Sequence, residues 1–390
     1  MSEELHNRTV ERLRPFGSTI FAEMTALAVA TGAVNLGQGF PDTDGPASML
    51  TAAQDAIAGG LNQYAPGPGM PVLRDAIAAD RSSRLGVDYD PASEILVTVG
   101  ATEGIAAAVL GLVEAGEEVL LIEPYYDAYA AAVALAGAKR RTVPLVADGD
   151  GYAVDLDALE RAIGPSTKLL VVNSPHNPTG TVFSRAELIR IADIACRHDL
   201  LVLTDEVYER LVFDGGSHVP IASLPGMFER TVTVSSAAKT FNATGWKTGW
   251  ALGPADLIDA VRSAKQFMTF VGGTPFQPAV AHALEHERGW VDDLRQGLQR
   301  KRDKLSSSLA EAGLDVKASA GTYFVCADVA PLGETDAIAF CRSLPARIGV
   351  AAVPVAAFVD HPEPWKTLVR FAFCKKDDVL DDAAARLLAL

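Results

Sequence analysis

Nowhere in this chain do ~18 consecutive apolar residues occur, so no membrane-spanning helix is expected. The first seventeen residues are polar and mixed in charge and lack the apolar stretch of a secretory signal, and a soluble cytoplasmic protein is the expectation. Positive charge is also scarce: 34 Lys and Arg stand against 49 Asp and Glu, a formal net charge of −15, with no local basic block. A phosphate backbone would meet no attracting field, so nucleic acid is not an expected partner. The few cysteines, Cys196, Cys326, Cys341 and Cys374, contain no CxxC pair, which excludes a zinc knuckle and a disulfide framework; they read as reduced packing residues. His282 and His286 stand four apart on an expected helix without an HExxH pattern and read as solvated or packed side chains, so no metal is expected. Internal repeats and low-complexity linkers are missing as well.

What the chain does have is apolar mass: 49 % of 390 residues are hydrophobic, enough for a large core and two domains sharing a cleft. Short β-branched runs recur at 94–100, 118–124, 168–175, 200–205 and 231–235, each with the composition of a buried strand. Stretches with helical spacing lie between most of them, at 102–115, 126–136 and 185–198, the last opening on Ser184 as N-cap with Glu187 at the box position. This alternation predicts an α/β fold with a mainly parallel sheet and crossover helices. A further run at 249–253 follows too soon for a crossover helix and is expected to lie antiparallel. A helix-rich stretch at 278–313 and runs at 321–327, 350–354 and 368–373 predict a smaller α+β domain. The expected division is an N-terminal arm (1–40) packing on that small domain, a large domain (41–280) and the small domain (281–390).

In an open α/β sheet, ligands bind beyond the carboxyl ends of the strands, and the unusual residues of this chain cluster at those ends. Gly100, Ala101 and Thr102 open a helix whose free N–H groups suit an anion, although a glycine there also serves a tight turn. The second run ends in Pro124-Tyr125-Tyr126, offering either a ring face for a flat heteroaromatic or a packed core tyrosine. The third ends in a turn-rich segment whose Asn177 has an amide for a ligand oxygen, though loop geometry alone accounts for its prolines and glycine. The fourth puts Asp205 at the end of an apolar run, where a carboxylate needs a cationic or hydrogen-bonding partner, with Tyr208 three residues on. The fifth leads through Ser235 and Ser236 to Lys239, and lysine is the residue able to form a Schiff base. Together these are the needs of pyridoxal phosphate: donors for a phosphate, a face for a ring, an acid for the pyridine nitrogen and an amine for the aldehyde.

Asn177-Pro178-Thr179-Gly180, Asp205-Glu206-Val207-Tyr208, the segment from Ser236-Ala237-Ala238-Lys239 to Gly245-Trp246-Lys247, and Arg370-Phe371 occur in the order and spacing of a family signature. From about Asn35 to Lys375 the chain resembles class I/II aminotransferases of the fold-type-I pyridoxal-phosphate family. The resemblance implies pyridoxal 5'-phosphate as cofactor, with Lys239 as the Schiff-base lysine and Asp205 on the pyridine nitrogen. It implies that Asn177 and Tyr208 hold the ring hydroxyl, that Ala101, Thr102, Ser236 and Lys247 bind phosphate, and that Tyr126 stacks on the ring. Tyr64 would reach a phosphate in the neighbouring subunit of a homodimer. Arg370 would clamp the substrate α-carboxylate, with Gly39 nearby and Phe21 lining the pocket. Many relatives carry arginine at the position of Lys247, so phosphate recognition here keeps its charge and loses the bidentate fork.

Within the family, residues 37–42, Asn62-Gln63-Tyr64 and 174–180 resemble the branch of kynurenine and glutamine transaminases, and the subgroup assigned as N-succinyldiaminopimelate aminotransferases. That likeness implies amino-acid and 2-oxo-acid substrates, glutamate being the donor and a keto-dicarboxylate the acceptor. Rival readings are kynurenine, glutamine or methionine transamination, a cysteine-conjugate β-lyase, and a ligand sensor, which would need an attached DNA-binding module. The sequence assigns no cation to the distal carboxylates of such an acceptor, because Arg140, Arg141 and Lys265 each read as surface residues.

Overall fold

The computed structural model describes residues 8–390, so the first seven residues of the expected arm lie outside the described residues. The apolar runs become strands because both their faces are covered. After the short β1 (Val34–Asn35) come β2 (Ile95–Val99), β3 (Glu118–Glu123), β4 (Lys139–Asp148), β5 (Gly151–Val154), β6 (Thr167–Asn173), β7 (Leu201–Asp205), β8 (Thr231–Ser236) and β9 (Thr248–Leu252). Strands β2 to β9 form one eight-stranded sheet in the order β2-β9-β8-β7-β6-β3-β4-β5. Neighbours from β8 through β7, β6 and β3 to β4 pair in parallel. As the short spacing predicts, β9 lies antiparallel to both β2 and β8. The β4–β5 hairpin is absent from the sequence reading, because β4 opens on Lys-Arg-Arg and keeps most of its residues exposed, leaving no apolar run to see.

Seven α-helices among the described residues precede β7: α1 (Ile20–Thr31), α2 (Ala47–Ala58), α3 (Pro71–Leu85), α4 (Gly100–Leu112), α5 (Asp127–Leu135), α6 (Leu156–Arg161) and α7 (Arg185–Arg197). The capping box read from Ser184 and Glu187 is formed at the start of α7. The remaining strands are β10 (Asp315–Val316), β11 (Phe324–Asp328), β12 (Val350–Ala351), β13 (Val353–Pro354) and β14 (Leu368–Ala372). Four of them make an antiparallel sheet, β10-β11-β14-β13. The run at 350–354 is therefore not one strand: β12 pairs in parallel with β1, and β13 joins β14. Helix α1 packs on β12 and on the helix Ala337–Ile348.

Cys326, Cys341 and Cys374 are buried, whereas Cys196 is exposed on α7 and is no packing residue. The rings of His282 and His286 lie against each other, centroids 4.6 Å apart. Among the described residues, no helix is long and apolar enough to cross a membrane.

Candidate active site

The carboxyl ends of β2, β3, β6, β7 and β8 open on one rim, and a cavity of about 480 Å³ lies there. Of the residues singled out from sequence, Phe21, Gly39, Ala101, Thr102, Tyr126, Asn177, Asp205, Tyr208, Ser236, Lys239, Lys247 and Arg370 all line it. Tyr64 does not: it stands on the surface, 82 % exposed, its ring edge-on to Phe270 at 5.5 Å.

Asp205 ends β7 in full burial, and its partner is hydrogen-bonding, not cationic. The Tyr129 hydroxyl donates to Oδ2 (2.7 Å) and the Val207 amide to Oδ1 (3.2 Å). Burial raises the carboxyl's proton affinity, and these two bonds oppose the rise. Lys239 sits just past β8 on the short helix Ala237–Thr240, its amine donating to the Gly39 carbonyl (3.4 Å) and lying 5.4 Å from the Tyr323 ring centroid. Desolvation pushes the amine down to about 8, toward the neutral form a nucleophile needs.

At the other end of the cavity, Gly100 begins α4 with φ of 71°, and a Cβ there would stand 3.2 Å from Cε and Nζ of Lys247. The lysine chain therefore lies against the first turn of α4, where unpaired N–H groups and the helix dipole already favour an anion. Gly249 allows this approach, since a Cβ on it would come within 2.6 Å of the Gly100 backbone. The buried Ser236 adds a hydroxyl. The Tyr126 hydroxyl bonds Thr102, and burial raises its affinity for its proton.

Arg370 is fully buried on β14, yet among the described residues no carboxylate meets it. Nη1 donates to Asn177 Oδ1 (2.9 Å) and Nη2 to the Gly37 carbonyl (2.8 Å), while Nε has no partner among the described residues. Its guanidinium lies 4.0 Å from the Phe324 ring centroid and 5.1 Å from that of Phe21. Phe324 approaches so closely because residue 39 is glycine; a Cβ there would meet its ring at 2.4 Å. A buried cation answered only by neutral oxygens and ring faces is half-solvated and waits for an anion. A seat for phosphate, a buried acid, an amine with a lowered pKa and an unanswered cation share one space, and these residues fit pyridoxal phosphate with an amino-acid carboxylate beside it.

A family model for aminotransferase class I and II matches residues 31–387. The chain belongs to that family. A probable N-succinyldiaminopimelate aminotransferase of Mycobacterium tuberculosis is 61 % identical, the match covering 98 % of each chain. The solved structure of N-succinyldiaminopimelate aminotransferase from the same organism superposes with a TM-score of 0.96 at 63 % identity, covering 97 % of this chain and 99 % of that one. An Escherichia coli protein whose structure and reactivity identify a methionine aminotransferase function gives 0.93 at 38 %, covering 98 % and 99 %. The protein is thus a pyridoxal-phosphate-dependent aminotransferase of α/β fold type I.

Several residues of this aminotransferase's site escape the sequence reading. Tyr129 sits three residues after Tyr126, which precedes α5, and their rings meet edge to face at 5.7 Å; that spacing was the available signal. Asn173 ties two site loops, donating to the Asp205 carbonyl (2.8 Å) and accepting from the Asn177 amide (2.8 Å). Behind the Asp205 turn, buried Arg81 donates to Glu206 (2.9 Å) and Glu209 (2.8 Å), and the Ser235 hydroxyl donates to Glu209 (2.8 Å). Despite burial, Arg81 and Arg84 hold the Glu209 carboxyl far below the usual range. Lys265, read as a surface residue, is instead buried, and its amine donates to the carbonyls of Gly67 and Phe270. Arg140 and Arg141 are exposed, as read from the sequence, each paired with an acid, Asp360 and Glu118.

Tyr129→Phe removes one donor from Asp205 without opening a cavity. One hydrogen bond to a charged group is worth about 1.5–3 kcal/mol. Turnover should fall roughly 5- to 50-fold if most of that bond acts on the ionised carboxylate, with a larger deficit at low pH because the remaining carboxylate binds a proton more readily. A kcat–pH profile superimposable on the parent's would contradict this.

Proposed function

We propose that the protein transfers an amino group from glutamate to N-succinyl-2-amino-6-oxopimelate, a step toward diaminopimelate and lysine. The observation that carries this reading is the 61 % identity over nearly the whole chain to the mycobacterial N-succinyldiaminopimelate aminotransferase, against 38 % for kynurenine and methionine enzymes. Rates of the first half-reaction across glutamate, kynurenine, methionine and N-succinyldiaminopimelate test it. The highest kcat/KM should belong to the succinyl compound. Preference for kynurenine or methionine, or release of pyruvate and ammonia from a cysteine conjugate, would overturn it.

When bound, pyridoxal phosphate carries the amino group between substrates and takes up the electron pair released at the substrate Cα. The remaining work belongs to this chain. Lys247, Ser236 and the first-turn amides at Ala101 and Thr102 would hold the phosphate, Tyr126 would cover a ring face, and Asn177 and Tyr208 would hold the ring hydroxyl. Asp205 would keep the pyridine nitrogen protonated, and its burial makes that ion pair strong. Arg370 would take the α-carboxylate in a charge-assisted pair, orienting the Cα–H bond toward Lys239. The Lys239 Nζ, lying under Gly39 and Tyr323, would accept the Cα proton and deliver it to the carbon that receives the amino group.

The same reading assigns residues 1–40 to an N-terminal arm, 41–280 to a large cofactor-binding domain and 281–390 to a small domain, in a cytoplasmic homodimer. Exposed Tyr64 and Phe270 support the dimer, because two large adjoining rings on a surface are better placed against a second subunit than in water.

The lowered pKa of Lys239 gives a pH signature. Only the neutral amine attacks an aldehyde, so covalent capture of added pyridoxal phosphate by cofactor-free protein should accelerate with rising pH and level off above about 8. Stopped-flow absorbance would show this, and a rate that falls with pH across that range would be inconsistent with it.

A further inference from the structure

The acceptor proposed above carries acid groups far from its reacting carbon, yet Lys239, Lys247 and Arg370 are the basic residues lining the main cavity, and each is already assigned. Beside that cavity lies a second chamber, also of about 480 Å³, which shares Thr19 and Asp127 with it. The two spaces adjoin at these residues. Tyr126 lines the first space and Tyr125 the second, and Phe358, which lines the second, has its ring centroid 5.5 Å from the Arg370 guanidinium. Among the described residues, the basic residue lining the second chamber is Arg140.

We propose that this chamber receives the distal carboxylate of a long acidic substrate and that Arg140 reads it, an assignment that rests on the succinyldiaminopimelate reading and names its missing cation. Asp360 accepts from Arg140 through Nε (2.7 Å) and Nη2 (2.8 Å), and the Tyr125 hydroxyl also interacts with the guanidinium, so a second carboxylate would approach at Nη1. The pair is part-exposed, 38 % and 29 %, so water and salt screen it and sharing the guanidinium costs little. Asp360 also has a donor of its own in the Tyr125 hydroxyl (2.9 Å) and is not stranded when Arg140 turns. The Asp360 backbone is fixed separately, its amide donating to the buried Glu123 (2.8 Å), so the loop stays anchored if Arg140 is changed. An acid stopping short of Arg140 would face Asp127 in the shared wall, which favours a chain long enough to pass it.

The test compares the parent with Arg140→Met and Arg140→Lys, using N-succinyldiaminopimelate, 2-aminopimelate and methionine as amino donors. For Arg140→Met, kcat/KM should fall roughly 10- to 100-fold with the two long acids, mainly through KM, and stay within about twofold with methionine. Arg140→Lys should recover part of the loss, because it returns the charge without the fork. Equal losses on all three donors would make Arg140 merely structural, and no loss on the long acids would empty the chamber of this role; either result overturns the proposal. If the parent rejects N-succinyldiaminopimelate but handles 2-aminopimelate in an Arg140-dependent way, the substrate reading fails while the chamber assignment stands.

Discussion

Replacing Lys239 with alanine is expected to lower transamination by on the order of 10⁴-fold, the upper end of what one positioned acid–base group contributes, and to end covalent retention of the cofactor. The expectation follows from position. Lys239 is the amine under the Gly39 carbonyl and the Tyr323 ring, and its surroundings favour its neutral form. Lys247 is the other lysine in the cavity and is committed to the α4 end. Borohydride reduction followed by peptide mass spectrometry should find the adduct on the peptide containing residue 239 in the parent and on no peptide of the variant. A label on Lys247 in the parent, or a variant turning over within tenfold of it, would remove Lys239 from the chemistry.

Asp205→Asn should cost about 10²- to 10³-fold in kcat, the range seen when one preorganised electrostatic group is deleted. Asparagine keeps the shape, but its single oxygen can accept from only one of Tyr129 and Val207, which the aspartate oxygens take separately. It cannot keep a pyridine nitrogen protonated, so the loss should fall on the electron-accepting power of the cofactor and spare substrate affinity. Measured at saturating pyridoxal phosphate, KM should therefore move far less than kcat. A variant that loses affinity for every substrate while keeping kcat would mean that Asp205 acts by shaping the pocket.

The strand ends were legible because each one joins a period-two or fully apolar run to residues that a buried sheet does not tolerate without a purpose. Asp205 and Lys239 stand out on that ground alone, and the Ser184–Glu187 cap is local enough to read directly. What escaped was assembled from distant pieces. Arg81 lies 125 residues from Glu206 and 128 from Glu209, so no window holds both ends of that buried ion pair. The bond from Arg370 to Asn177 spans 193 positions, so the two stand as separate candidates in the sequence where the fold makes one unit. Lys265 looked like a surface residue because its partners are carbonyl oxygens, which carry no side-chain signature. The β4–β5 hairpin hid for the opposite reason, its charges masking its extended backbone.

One feature of the large sheet sets how the two lysines of the cavity are delivered. Since β9 runs against its neighbours, its first residues, not its last, arrive at the rim where the parallel strands finish. The polypeptide leaves that rim at Ser236 and is back on it by Thr248 without crossing the sheet. Lys239 and Lys247 therefore ride on a single short excursion, 237–247, and their spacing is dictated by that loop alone. A same-direction strand would have needed a return of a dozen or more residues beneath the sheet before contributing anything at this edge.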